Sequence, residues 1–289
     1  MKVFKFILVI SLLLSSVNSY AYSNKRTTNG YFNQQKFASL VVDADSGNII
    51  HKENADKVRY PASLTKMMTM YLTFEALKKQ KLTMNTYLTA SRHAASQPRT
   101  NIALRPGEKV SVKNLIESLV VVSANDSAVV LAERLGGSEN GFARIMTQRA
   151  HQLGMNNTNF VNASGLHNPR QVTTATDMAK LMLAIKRDFP QYYHILSLNK
   201  FSYHGICYKP HSALFTNYAG VKAGKTGYVA ASGFNIALNA EKGRDDVVAV
   251  VMGGKTANSR DNYTRGLLDK SFRNISYLKR TNPTSYAAN

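Results

Sequence analysis

Three short segments of this 289-residue chain carry side chains that could act together on a carbonyl group: Ser63-Leu64-Thr65-Lys66, Ser123-Ala124-Asn125 and Lys225-Thr226-Gly227. In the first, a hydroxyl and an amine stand three residues apart, which on a helix puts them on one face within mutual reach. A serine hydroxyl is a weak nucleophile until a base takes its proton, and a neutral lysine can do so. Lys66 must then lose its charge near neutral pH; burial and a second cation both favour that, and Lys225 is the candidate for the second cation. Ser123 can relay a proton to a departing amine, while the Asn125 amide can hold both a substrate peptide and the neighbouring lysine. A strand ending in Lys225-Thr226-Gly227 offers an ammonium and a hydroxyl to a substrate carboxylate, and Gly227 lets that substrate lie close against the backbone. Backbone N–H groups of Ser63 and Tyr228 would form the oxyanion hole. Singly, each segment is a common accident of sequence; their order and the elements around them give them weight.

Those elements are readable from periodicity. Between Phe37 and Lys52 two apolar, β-branched runs flank Asp45-Ser46-Gly47, the pattern of a β-hairpin with a glycine turn. After Pro61 the apolar residues Leu64, Met67, Met68, Tyr71 and Leu72 follow helical spacing and predict an amphipathic helix with Ser63 in its first turn. Helical periodicity then dominates to about residue 188, punctuated by Gly136-Gly137 and Gly154. Strand patterns return at 220–226, 232–239 and 246–252, and residues 258–273 read as a helix covering the sheet. The fold class is therefore α/β (α+β): an antiparallel sheet built from both chain ends and flanked by helices, with a mostly helical inserted lobe. The expected lobes are about 37–80 with 195–280, and about 81–194, within a single catalytic unit over 22–289.

The order and spacing of the three motifs resemble those of penicillin-binding proteins and serine β-lactamases. Further stretches are similar to the D-alanyl-D-alanine carboxypeptidase branch: Pro61 to Thr69, Val121 to Ala128, Asn162-Ala163-Ser164-Gly165-Leu166, Thr173 to Ala179, and Val251-Met252-Gly253-Gly254, within a match running from about Phe37 to Arg273. The resemblance implies a β-lactamase/transpeptidase-like fold and a serine peptidase without metal or other cofactor. It implies that Ser63 is acylated, Lys66 is the base, Ser123 and Asn125 form the second motif, and Lys225 with Thr226 contacts substrate. Arg260, downstream of the Met-Gly-Gly segment, would help to hold the terminal carboxylate. The implied partners are a peptidoglycan stem peptide ending in D-Ala-D-Ala and β-lactam antibiotics as inhibitors. A β-lactamase is the nearest alternative, but residues 150–190 contain no Glu-x-x-Leu-Asn; a DD-endopeptidase and a non-catalytic wall-binding protein are the others. The sequence departs from the family pattern at Ala223-Gly224, where a larger apolar residue usually precedes the lysine, and at Tyr228, where some members have histidine. It also stops about nine residues after Arg280, short of the β-rich second domain and C-terminal anchor of many relatives, so a protein free in the periplasm is expected.

Composition sets the compartment. The start Met1-Lys2-Val3-Phe4-Lys5, an apolar run to Leu14 and the ending Ser19-Tyr20-Ala21 read as a signal peptide cleaved after about Ala21. The apolar run is about half of the roughly 20 residues needed to cross a bilayer, so no stable membrane anchor is expected. Lys and Arg number 37 against 17 Asp and Glu, a balance that favours an anionic partner. The basic residues are scattered and the chain is exported, which argues for wall polymer or membrane surface and against nucleic acid. The one cysteine, Cys207, is expected to be a small half-buried residue. The loosely ligand-like spacing of His204, Cys207 and His211 is read as a solvated loop.

Overall fold

The β-branched runs at the two ends of the chain pair with one another. In the computed structural model, which describes residues 32–281 and side chains as far as Tyr277, β1 (Ala38–Asp43) and β2 (Ile49–Glu53) form the expected hairpin. Its turn is held by Asp43, whose Oδ1 accepts from the backbone N–H of Asp45 and Ser46 and from the Ser46 hydroxyl. Residues 1–21, the expected signal segment, lie outside the described residues.

A 3-10 turn at Ala62–Thr65 leads into α1 (Lys66–Lys78). A small hairpin of β3 (Tyr87–Thr89) and β4 (Lys109–Ser111) encloses α2 (Arg92–Ala95). Next come α3 (Val112–Val121), α4 (Asn125–Gly136), α5 (Glu139–Gln152), α6 (Ala175–Asp188) and the short α7 (Pro190–Tyr193). Serine or threonine hydroxyls accept the free N–H groups at the starts of α3, α5 and α6, from Ser111, Ser138 and Thr174. A second hairpin, β5 (Phe201–Tyr203) with β6 (Ile206–Tyr208), precedes α8 (Leu214–Asn217). The chain then returns as β7 (Val221–Val229), β8 (Gly233–Lys242), β9 (Asp245–Gly254) and α9 (Ala257–Thr281).

The main sheet is antiparallel in the order β2-β1-β9-β8-β7, so the first strands are joined to the last through β9 and the motif strand β7 is left at an edge. Alternation along β9 separates two cores. Val247, Ala249 and Val251 pack with Leu268, Phe272 and Ile275 of α9, whereas Val248, Val250 and Met252 join the larger core that holds α1 and α6. Helix α6 lies within the stretch read as the inserted lobe, yet it packs against β1, β8 and β9.

Two sequence expectations need correction. Helix α1 is not amphipathic: all of its residues but Glu75 and Lys78 are buried, because α3, α4, α5 and α6 pack around it. Its threonines are accommodated by hydrogen bonds from Thr69 Oγ1 to Ala163 O and from Thr73 Oγ1 to Thr69 O. Cys207 is exposed on the two-stranded β5–β6 hairpin, which has too little depth to cover it.

Candidate active site

Ser63, Lys66, Ser123, Asn125, Lys225, Thr226 and Arg260 come together from a turn, a buried helix, a helix start, an edge strand and the first turn of α9. Most of them line one cleft of about 340 Å³, while Lys66 and Lys225 lie beneath it. Ser63 sits in the 3-10 turn before α1, and Lys66 opens the helix itself. Lys66 has no exposed surface, and its Nζ lies 3.1 Å from Ser63 Oγ, 2.7 Å from Asn125 Oδ1 and 2.5 Å from Ser164 O. The last two neighbours can only accept: Ser164 O is a carbonyl, and Asn125 commits its Nδ2 as a donor to Pro98 O at 2.8 Å. A neutral amine has two hydrogens for those acceptors, which leaves its lone pair aimed at the Ser63 hydroxyl.

Electrostatics favour that neutral form. Burial drives the Lys66 amine well below its ordinary range, the Lys225 ammonium adds to the effect, and the carboxylates of Asp126 and Glu139 oppose it. Lys225 is itself 1% exposed on β7 and donates to Ser123 Oγ and to Thr226 O, both at 2.9 Å. Burial, with repulsion from Arg260, lowers it to about 7. Ser123 adopts the left-handed conformation, φ +61, immediately before α4. A non-glycine residue holds such a conformation only where its surroundings enforce it, here with the hydroxyl facing Lys225.

Several residues that build the site were not assigned a role from sequence. Ser164 supplies a carbonyl to Lys66, and its loop is tied down by Glu139 Oε1 accepting from Ala163 N and by Gln171 Oε1 accepting from Val161 N and Asn162 N. Gly165, at φ +88, passes so close to the nucleophile turn that a Cβ there would lie 1.9 Å from Ala62 O. Asp126 is buried and accepts from the backbone N–H groups of Ile102, Leu104 and Ser127, fixing the segment that leads from Pro98 past Asn125. His211 lines the cleft; its ring N–H donates to Val122 O, and burial, assisted by the nearby Lys225 and Arg260, lowers its pKa. The only sequence signal for the loop was the Asn162-to-Leu166 stretch. The others are single polar residues most of whose partners lie 9 or more positions away.

Two expectations change in detail. The space beside Gly227 belongs to the protein: a Cβ there would meet Ser63 N at 2.9 Å and Pro61 O at 3.1 Å, so glycine is required for β7 to pack on the nucleophile turn. Arg260 is 2% exposed and already engaged, in a 2.8 Å ion pair with Asp261 and with longer bonds to the carbonyls of Asn235 and His211. His204 and His211 do not converge on Cys207: His204 pairs with Glu108 and His211 with Val122 O.

The profile of the family described as D-alanyl-D-alanine carboxypeptidase matches residues 27–256. The chain belongs to that family. It is 32% identical over 274 residues to the D-alanyl-D-alanine carboxypeptidase DacF of Bacillus subtilis (strain 168), covering 91% of this chain and 68% of the relative. It is 34% identical over 243 residues to DacC of Escherichia coli (strain K12), covering 82% and 61%. Penicillin binding protein 5 from Haemophilus influenzae superposes with a TM-score of 0.79 at 33% identity, over 82% of this chain and 70% of that one. The chain thus spans between three-fifths and about seven-tenths of these relatives. As a member of the carboxypeptidase family it is a serine peptidase with the penicillin-binding fold expected from the motifs.

The departures from the family pattern have local explanations. At Gly224 a Cβ would lie 2.2 Å from the Phe215 ring, so the missing side chain is replaced by an aromatic ring from α8. Tyr228 is 54% exposed at the cleft lip, its ring 4.3 Å from that of Phe234. It adds an apolar wall where an imidazole would add a titratable one.

Proposed function

We propose that this protein is an exported serine DD-carboxypeptidase, which removes the terminal D-alanine from peptidoglycan stem peptides through an acyl-enzyme at Ser63. The observation that carries the reading is the Lys66 amine, buried, flanked by two obligate acceptors and 3.1 Å from the Ser63 hydroxyl. Lys66 takes the Ser63 proton as Oγ attacks the penultimate D-Ala carbonyl. The backbone N–H groups of Ser63 and Tyr228 receive the oxyanion, and the proton taken by Lys66 is passed on through the Ser123 hydroxyl to the departing amine, which leaves Lys66 neutral again. Lys225, Thr226 and Arg260 hold the terminal carboxylate, with Asp261 keeping the guanidinium in place. Water entering after D-alanine leaves would regenerate Ser63. A β-lactam presents a strained amide to the same serine, and its leaving group stays tethered after ring opening.

The cleft lining contains no carboxylate among the described residues, which supports slow release of a β-lactam acyl group and disfavours a β-lactamase. Among those residues no helix is long and apolar enough to cross a membrane. Export rests on the signal-like residues 1–21. The test is mass spectrometry of the protein after labelled penicillin, together with release of free D-alanine from a pentapeptide ending in D-Ala-D-Ala. Label on the Ser63 peptide and D-alanine in solution are expected. Label elsewhere, or acylation with no peptide turnover, would overturn the mechanism or the peptidase reading respectively.

A further inference from the structure

The cleft also carries a cation that the chemistry above does not use. Arg99 lines it beside Thr100, whose carbonyl and hydroxyl bond to Asn125 and Ser123 of the same lining. Its side chain is exposed and has no carboxylate partner among the described residues, whereas Arg260 is buried against Asp261. The backbone that presents Arg99 is firmly held. Pro98 O accepts from Asn125 Nδ2, Thr100 O from Asn125 N, and the Thr100 hydroxyl donates to Ser123 O. Two residues further on, Asp126 clamps Ile102 N and Leu104 N. An exposed guanidinium thus stands on a held stretch of backbone, in a cleft whose lining includes no Asp or Glu.

We infer that Arg99 selects stem peptides bearing a second carboxylate, on the side chain of the residue that precedes the two D-alanines. This deepens the proposed function and rests on its placement of the peptide. With the terminal carboxylate at Lys225 and Arg260 and the scissile carbonyl over Ser63, the rest of the peptide leaves along the edge strand β7. An extended chain there turns successive side chains to alternate sides, and Arg99 lines the same cleft as the β7 residues Thr226 to Val229. A diamino acid carrying its own carboxylate would pair with the guanidinium. A lysine side chain at the same position would bring a second cation towards it, at a cost.

The inference is tested by calorimetric binding of acetyl-X-D-Ala-D-Ala, with X as Glu, Gln or Lys, to the non-turnover variant Ser63→Ala with and without Arg99→Gln. Binding in that background needs no turnover, so the result is independent of whether D-alanine release is seen. Because Arg99 is exposed, the Glu peptide is expected to bind about two- to fivefold better than the Gln peptide, and the Lys peptide no better than Gln. Arg99→Gln should bring the Glu-to-Gln ratio close to one, and added salt should do the same in the parent. Acetyl-Glu-Gln-D-Ala-D-Ala moves the carboxylate one residue back, and a preference seen only there would overturn the assignment to the residue next to the D-alanines. A Glu preference that survives Arg99→Gln would overturn the inference as well, because it would then come from the overall positive charge of the protein.

Discussion

The two buried lysines divide the work by their neighbours. Lys66 faces the nucleophile and two acceptors, whereas Lys225 faces Ser123 and the Thr226 carbonyl beneath the cleft. Replacing Lys66 by alanine is therefore expected to slow acylation by labelled penicillin about 10²- to 10⁴-fold, the usual worth of a general base, and to change non-covalent peptide binding much less. Equal losses in both would refute this division. Lys225→Ala should weaken peptide binding and also displace the pH profile. Burial remains as the main cause of the lowered Lys66 pKa, but the repulsion from Lys225 disappears and the pKa rises. The free base then forms only at higher pH, so the acid limb of the acylation rate should move upward. A limb that stays in place or moves down would show that Lys225 does not act on Lys66.

At the level of elements, the site depends on close backbone contacts between the nucleophile turn, β7 and the 161–166 loop. Gly165 is the tightest of these, with both a left-handed φ and an impossible Cβ position against Ala62 O. Gly165→Ala is expected to cost roughly 1–3 kcal/mol in stability and to displace the Ser164 carbonyl from Lys66, slowing acylation in the protein that remains folded. Gly47→Ala is the control. Its φ of +74 lies in the β1–β2 turn with nothing within 4 Å of the added carbon, so it should cost stability and leave the acylation rate of folded protein unchanged. If both variants lose stability and neither loses rate, the loop does not position the base.

For the whole molecule, burying amines beneath the cleft has a consequence for stability. In the unfolded chain a lysine titrates near 10.4, while Lys225 in the fold is lowered to about 7. Between those values the unfolded state binds the proton and the native state does not, so the residue increasingly destabilises the fold as pH falls from about 10 to about 7, and its effect levels off below. The variant Lys225→Met should therefore gain stability relative to the parent as pH is lowered through that window, by a few kcal/mol, roughly, at the lower end. Melting curves of the two proteins at matched pH test this. A constant difference across the window would mean that the lysine is charged in the fold throughout.

The sequence alone determined the three motifs, the hairpin at Asp45-Ser46-Gly47, the three returning strands and the covering helix, because each is encoded locally in side-chain types and in periods of two or 3.6 residues. It also offered Ser63, Lys66, Ser123, Asn125 and Lys225 as candidates, since their types and order limit the chemistry they can share, and Arg260 through the family resemblance. Only the tertiary structure decided that α1 is buried all round, that Gly227 makes room for the nucleophile turn, and that Arg260 is already paired with Asp261. The Ser164 carbonyl, the Asp126 clamp and the exposed Arg99 likewise emerged only from the fold. Burial on a second face, a Cβ collision and a hydrogen bond from a backbone carbonyl are properties of residues distant in sequence and adjacent in space. No local pattern records which partners the chain will bring to them.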